Sequence, residues 1–375
     1  MTASSPCPRF LFVGPAPDAP GGIAQFQANL VRTVADDAEA HVLSFRRLYP
    51  RWTRAGRQSP DHSAGPLPVG ASPVLVPWSP GTWRTARRLV GGYRPDVLVA
   101  QWWHPIVAPA LRSVTDAGRE IGARIVFVCH NSEPHERFPF QESLARRALA
   151  GADVLLALSE PVAGELRELV PGIPVEVLAH PPNLRANGNE AGAWSDRIGP
   201  IDGPVVLFFG NVRAYKGLED LVTALPIIRR TVPATLVVAG RFFQSEERLR
   251  GLARDLGVSD AVRIFSSYVP ANEVSGLFDA ADVVALPYRS ASQSGIVAQA
   301  ALYGKPVVAT EVGGLPEAID GRGIVVPPAQ PEALAHGLIR ALTDPPPAPP
   351  MPSADWEDWR AALLSQAAAL DQARR

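Results

Sequence analysis

Apolar residues along this chain gather in short, near-continuous runs rather than in alternating ones. A first series occupies residues 10–14, 41–45, 96–102, 124–130, 153–159 and 175–180. A second occupies residues 205–210, 234–240, 262–268, 282–288, 306–310 and 323–326. Runs of Val, Leu, Ile and Phe without a polar alternate predict strands covered on both faces. Between many of them apolar residues recur at helical spacing: Leu218, Leu221, Val222, Leu225 and Ile228 share one face, and Leu144, Ala148 and Leu149 begin another stripe. Strand–helix alternation predicts parallel sheets with right-handed crossovers, so the fold class is α/β with two Rossmann-like domains.

The pattern breaks in two places. Residues 181–204, PPNLRANGNEAGAWSDRIGPIDGP, are rich in Pro, Gly and Asn and poor in apolar periodicity. Beyond Asp344 comes PPPAPPMP, which cannot continue a helix. Ser353 can then cap a last helix carrying Trp356, Trp359, Leu363 and Leu364. The expected organisation is an N-terminal domain over residues 1–185, a linker over 186–204, a C-terminal domain over 205–344, and a proline-rich connector with a final helix over 345–375.

Composition narrows the picture. A chain of 375 residues exceeds one ordinary core, and 46% hydrophobic with 19% charged residues gives two cores ample material. A formal net charge of −1 supplies no global field to recruit nucleic acid. Cys7 and Cys129 are too few and too distant to form a disulfide framework, which fits a reducing cytoplasm. No apolar run approaches a membrane span. One local exception is Arg46, Arg47, Arg51, Arg54 and Arg57, interleaved with Tyr49 and Trp52. This stretch is either a solvated loop or a contact for an anionic or lipid-linked acceptor, so peripheral contact with the inner membrane face is the expected limit of membrane association.

The chemistry concentrates at strand ends. Residues 286–328 read LPYRSASQSGIVAQAALYGKPVVATEVGGLPEAIDGRGIVVPP. The loop Ser290-Ala291-Ser292-Gln293-Ser294-Gly295 runs straight into a helical pattern, where free amides and the positive dipole end suit a phosphate. Arg213 and Lys216, in GNVRAYKG after another strand, are spaced so that both can reach one diphosphate and neutralise it as it departs. In the first half, VCHNSEPHE is the most polar segment to follow any strand. A metal reading of His130, Glu133, His135 and Glu136 lacks helical His-Glu-x-x-His spacing, and no Asp-x-Asp pair occurs, so no metal is expected. Trp103, in QWWHP, ends a further strand where an aromatic ring suits stacking on a sugar or an apolar acceptor. There is no G-x-G-x-x-G fingerprint, which disfavours a nicotinamide oxidoreductase.

Taken in order, GKPVVAT, VGGLPE, the terminal VVPP and the Arg-x-x-Lys-Gly element resemble the donor-binding region of GT-B glycosyltransferases of family 4, glycosyl transferases group 1. The resemblance implies two Rossmann-like domains facing across a cleft, with the last helix crossing back to the N-terminal domain. It implies transfer of a sugar from a nucleoside diphosphate-sugar, a co-substrate rather than a resident cofactor, to a glycan, lipid-linked or small-molecule acceptor, with retention at the anomeric carbon. Residue by residue, it gives Arg213 and Lys216 the diphosphate, His130 the neighbourhood of the reacting carbon, and Gly21 and Gly22 the glycine-rich loop of the cleft. It gives Ser294, Gly295 and Ile296 a phosphate contact through backbone amides and places the base beside Tyr268.

The chain departs from the family where two glutamates are common, carrying Ala291 and Gln299 instead. Gln299 can still hydrogen-bond a ribose hydroxyl. A Ser-Gln-Ser-Gly form of the loop, found in some members, gives Gln293 reach to the sugar. Glu133 and His135, in a Pro-His-Glu segment resembling one branch of the family, are candidate acceptor contacts, and Glu317 is expected to stabilise its turn. The departures motivate one alternative, a catalytically weak nucleotide-sugar-binding partner protein; a nucleotide-sugar epimerase on the same fold is another.

Overall fold

A computed structural model describes residues 7–16, 19, 21–50, 67–132, 140–182 and 191–374. The chain divides into two compact units, Met1–Pro181 with Ser353–Arg375, and Pro182–Pro352.

In the first unit seven strands form one parallel sheet: β1 (Arg9–Gly14), β2 (Glu39–Phe45), β3 (Gly70–Leu75), β4 (Val97–Trp102), β5 (Arg124–Cys129), β6 (Val154–Ala157) and β7 (Val175–Val177), in the order β3-β2-β1-β4-β5-β6-β7. Because successive side chains alternate across a strand, continuous apolar runs feed both faces. Leu11, Val13, Leu98, Ala100, Ile125 and Phe127 pack on one face, and Phe10, Phe12, Val97, Val99, Val126 and Val128 on the other. The second face is closed by the helix Gly22–Val34, through Phe26, Leu30 and Val34, and by the C-terminal helix Trp356–Arg374, through Trp359, Leu363 and Ala367. Trp359 is fully buried, with its Nε1 donating to the Ala179 carbonyl at 3.1 Å. Arg360 holds Asp37 through two bonds of 2.7 Å, and Arg124 reaches Gln366 at 2.7 Å. The last helix is therefore part of the first unit's core.

In the second unit β8 (Val205–Phe209), β9 (Thr235–Ala239), β10 (Val262–Phe265), β11 (Val283–Leu286), β12 (Val307–Thr310) and β13 (Ile324–Val326) form a parallel sheet in the order β10-β9-β8-β11-β12-β13. Each sheet thus reverses its winding once, between β1 and β4 and between β8 and β11. Those reversals open crevices beyond the carboxyl ends of the strands, where ligands bind in doubly wound sheets.

Two features depart from the sequence expectations. The edge strand β3, GASPVL, was not foreseen; it pairs β2 alone, with a register shift between Ser44 and Phe45. Its Pro73 is tolerated because an edge strand leaves one side unpaired. Within the segment read as linker, Ala191–Ile198 is a helix whose Trp194 is 1% exposed in the second unit's core, edge-on to Phe265. Residues 345–352 carry no regular secondary structure.

Candidate functional site

Beyond the β8/β11 reversal, glycines let three loops meet. Gly210 follows β8 at φ 108°, and a Cβ on Gly240 would overlap its carbonyl oxygen. The chain then makes a single 3-10 turn, Ala214–Lys216, and exits through Gly217 at φ 63°. A Cβ on Gly217 would overlap the Pro287 carbonyl, so only glycine lets this turn lie against the chain leaving β11. The Arg289 N–H donates to the Tyr215 carbonyl at 2.7 Å, and its guanidinium grips Asp220, 8% exposed, through bonds of 2.8 and 2.6 Å.

This bracing fixes Lys216. Its Nζ donates to the Tyr288 hydroxyl at 3.1 Å and lies 4.8 Å from the Tyr288 ring centroid. Tyr288 is 2% exposed, and its carbonyl accepts from the Thr310 hydroxyl at 2.5 Å. Its own hydroxyl stands 3.5 Å from Ser294 Oγ. Ser294 caps the helix Gly295–Leu302, its Oγ accepting from the Ile296 N–H at 3.3 Å. A Cβ placed on Gly210 would lie 3.6 Å from Lys216 Nζ and 3.9 Å from Ile296 Cδ1. Five residues from two segments, the loop after β8 and the loop after β11 with the start of its helix, therefore converge on one spot. Burial alone would lower the Lys216 pKa, but the Tyr288 and Tyr215 hydroxyls outweigh it and hold the value above the ordinary one, so the ammonium is charged at neutral pH. Arg213 stacks on Phe243, Cζ to ring centroid 4.2 Å, and its charge acts on Lys216 in the opposite direction.

The paired glycines of VGGLPE hold up the loop opposite. A Cβ on Gly313, at φ 51°, would overlap the Ala291 carbonyl, and the Gly314 N–H donates to Ser292 O at 2.9 Å. Ala291 packs against the core, Gln299 is 5% exposed, and Gln293 Oε1 is shielded with no partner among the described residues. Tyr268 lies apart, beyond β10 and two strands from β8, half-buried and close enough to Arg241 to act on its charge. The Glu317 side chain is exposed; the turn there is closed by backbone bonds, Asp320 N–H donating to Glu317 O at 3.2 Å.

At the β1/β4 reversal of the first unit, Gly14 ends β1, and a Cβ there would collide with the side chains of Gln27 and Gln101. Gly21, at φ 129°, precedes the helix Gly22–Val34, and among the described residues no atom beyond chain neighbours and the helix's own backbone lies within 4 Å of a Cβ placed on Gly21 or Gly22. His130 follows β5 and is 7% exposed, with Nε2 at 2.7 Å from Gln101 Oε1 and its ring edge-on to Phe26 at 5.1 Å. Burial, reinforced by the neighbouring His180, pushes its pKa down to about 3, so the imidazole is neutral. Trp103 is 7% exposed and packs edge-on to Phe45, so it offers no open face for stacking. Glu133, His135 and Glu136 lie outside the described residues, as do Arg51, Trp52, Arg54 and Arg57. Among the described residues no group of three His, Cys, Asp or Glu side chains could hold a metal ion, and no helix is long and apolar enough to cross a membrane. Cys7 and Cys129 are both free.

Sequence reasoning missed Tyr288, Gln101, Gln27 and the Asp220–Arg289 pair. Tyr288 read only as the end of an apolar run. The two glutamines carried one usable signal, a polar residue inside an otherwise apolar strand or helix face.

Comparison with known proteins bears on the whole chain. Residues 203–344 match the model of glycosyl transferases group 1, and residues 20–184 match that of glycosyltransferase family 4. A GDP-mannose-dependent alpha-(1-6)-phosphatidylinositol monomannoside mannosyltransferase of Mycolicibacterium smegmatis is 30% identical over 355 residues, 88% of this chain and 87% of that one. A D-inositol 3-phosphate glycosyltransferase of Acidothermus cellulolyticus is 31% identical over 361 residues, 87% of this chain and 78% of that one. In fold, the chain is similar to Anabaena HepE in complex with UDP-glucose, with a TM-score of 0.71 at 17% identity, covering 97% of each chain. It is also similar to sucrose-phosphate synthase from Thermosynechococcus elongatus, with a TM-score of 0.70 at 18% identity and 98% of each chain covered. With two Rossmann-like units of the GT-B kind, matching motifs at the strand ends and relatives along its length, the chain belongs to glycosyltransferase family 4, the group 1 glycosyl transferases.

Proposed function

We propose that the protein transfers a hexose from a nucleoside diphosphate-sugar to a hydroxyl group of a glycan, lipid-linked or small-molecule acceptor, with retention and without a metal ion. The observation that carries this reading is the braced Lys216 ammonium, 3.1 Å from the Tyr288 hydroxyl, beside the Ser294-capped start of a helix. A cation and free helix amides are the groups that stabilise a departing diphosphate as its charge develops. Arg213 supplies a second cation to the same loop, so the electrostatic work often given to a divalent metal falls to side chains.

Retention is read as a same-face displacement. The bond from the anomeric carbon to the diphosphate oxygen breaks as the acceptor oxygen bonds on that same face, and the acceptor proton passes to the leaving phosphate. His130, neutral and nearly buried, is read as a contact to the transferred sugar. The Mycolicibacterium relative is named for GDP-mannose and a phosphatidylinositol monomannoside, and HepE was solved with UDP-glucose, which supports a nucleoside diphosphate-hexose as donor. With a lipid-linked acceptor the enzyme would work at a membrane surface.

The test is incubation with nucleoside diphosphate-hexoses in EDTA, with diphosphate release and the anomeric configuration of the product followed by proton NMR. An α-linked product from an α-linked donor, formed without metal, is expected. Inversion would overturn the same-face displacement. Ala291 favours one other reading, a nucleotide-sugar-binding partner, because its side chain can contact no sugar hydroxyl. Tight binding with neither transfer nor hydrolysis would establish that reading instead.

A further inference from the structure

Three buried polar side chains, Gln27, Gln101 and His130, lie together at the carboxyl end of the first unit's sheet. Gln101 is fully buried in β4, a strand otherwise composed of Val, Leu, Ala and Trp. Gln27 is 1% exposed on the helix Gly22–Val34, and the two side chains meet beneath Gly14. Each is bonded at one end only. Among the described residues, Gln27 Nε2 donates to Pro15 O at 2.7 Å while its Oε1 has no partner, and Gln101 Oε1 faces His130 Nε2 at 2.7 Å while its Nε2 has no partner. An unsatisfied buried amide group destabilises the fold, and a leucine in either place would avoid that. The polar pair therefore has a use other than packing.

The chemistry of the bonds sets a direction along the chain of groups. A proline carbonyl only accepts, so Gln27 must turn its NH2 to Pro15 and its oxygen inward. No hydrogen bond joins Gln101 Nε2 to this oxygen, so the preference is electrostatic: a reversed Gln101 amide would turn its oxygen, not its NH2, toward the unpaired Gln27 Oε1 beneath the same loop. Gln101 thus presents its carbonyl oxygen to His130, and this oxygen requires a proton on Nε2. The neutral ring then carries a bare lone pair on Nδ1, which has no hydrogen-bond partner among the described residues.

We propose that Gln101, oriented through Gln27 and Pro15, is a positioning residue that locks His130 in the Nε2–H tautomer and so makes Nδ1 a hydrogen-bond acceptor for a hydroxyl of the transferred sugar. The proposal rests on the reading of His130 as a donor-sugar contact. It makes His130 an acceptor, not a general acid.

The test separates the two. In the full chain labelled with 15N-histidine, long-range proton–nitrogen NMR spectra report the tautomer of each imidazole, with His130 assigned by its loss in His130→Asn. The wild type is expected to show His130 protonated on Nε2, and Gln101→Leu or Gln27→Leu to shift it toward an Nδ1–H mixture. Gln101→Glu, which keeps an accepting oxygen, is expected to restore Nε2–H. A wild-type Nδ1–H tautomer, or one unmoved in folded Gln101→Leu and Gln27→Leu, overturns the proposal whatever the activity. In donor hydrolysis, kcat is expected to fall at least tenfold in Gln101→Leu with KM little changed. His130→Asn, which sets an amide group where Nδ1 stands, should keep more activity than His130→Gln. A tautomer that moves as expected while both Gln101→Leu and His130→Ala hydrolyse donor like the wild type would overturn the sugar-contact reading itself.

Discussion

A charged lysine whose Nζ is tied to a buried tyrosine is held for a purpose, and Lys216 and Tyr288 can be separated by substitution. Lys216→Ala removes the cation but little packing. Turnover is expected to fall about 100-fold or more, the scale of about 3 kcal/mol seen when a transition-state charge partner is lost, with the melting temperature nearly unchanged. Near-wild-type turnover in that variant would refute the assignment. Tyr288→Phe keeps the ring under Nζ and deletes the hydroxyl bond, so stability should change by about 1 kcal/mol while nucleoside diphosphate affinity drops several-fold by calorimetry. Arg213, Lys216 and Ser294 were legible because basic residues and a Ser-Gly helix start carry their chemistry in their type and spacing. Tyr288 was not, because a tyrosine at the end of an apolar run reads as core until the loop of Lys216 is folded over it. The Asp220–Arg289 pair was hidden for a related reason: its partners are 69 residues apart, and each alone reads as a surface charge.

At the level of elements, the site depends on glycines that let loops touch. Gly313→Ala would drive a Cβ into the Ala291 carbonyl and push the residue 290–294 loop off its support. The expected result is a loss of about 1–3 kcal/mol, the range of strained backbone positions, together with weaker nucleotide binding. Unchanged affinity would show that the loop does not need its glycine prop. The C-terminal helix offers a cleaner packing test. Trp359 is fully buried against Phe26, ring centroids 5.1 Å apart, so Trp359→Ala should cost about 3–5 kcal/mol in chemical denaturation. All twelve runs of apolar residues became strands, since parallel strands buried on both faces announce themselves by composition. The strand β3 did not, because GASPVL at a sheet edge needs no apolar face on its open side. The helix Ala191–Ile198 was missed because only Trp194 and Ile198, one turn apart, anchor it, too short a stripe to stand out in the sequence.

Across the whole molecule, the residues assigned to chemistry are divided between two units with different sensitivity to acid. His130 takes up a proton near pH 6.5 in the unfolded chain but only near pH 3 in the folded first unit, and burial lowers His180 as well. Below pH 6.5 the unfolded chain therefore binds more protons than the folded one. The stability from neutral His130 is complete above that value and is lost as pH falls toward 3, at up to about 1.4 kcal/mol per pH unit. Calorimetric melts between pH 7.5 and pH 4 are expected to show the first unit falling in stability with acid, and His130→Asn to flatten the slope. A first-unit transition insensitive to pH in that window would contradict the burial of a neutral ring.

The central claim, that Lys216 and the Ser294 helix start hold the diphosphate of a nucleotide-sugar without metal, is tested most directly by thermal shift in EDTA. Wild type and Lys216→Ala would each be melted with UDP, GDP, ADP, CDP and dTDP. A ligand at about 100 times its dissociation constant adds about 2.7 kcal/mol to the folded state. One nucleoside diphosphate is expected to raise the wild-type melting temperature selectively and to leave Lys216→Ala unmoved. No shift with any of the five, or an equal shift in both proteins, would contradict the account.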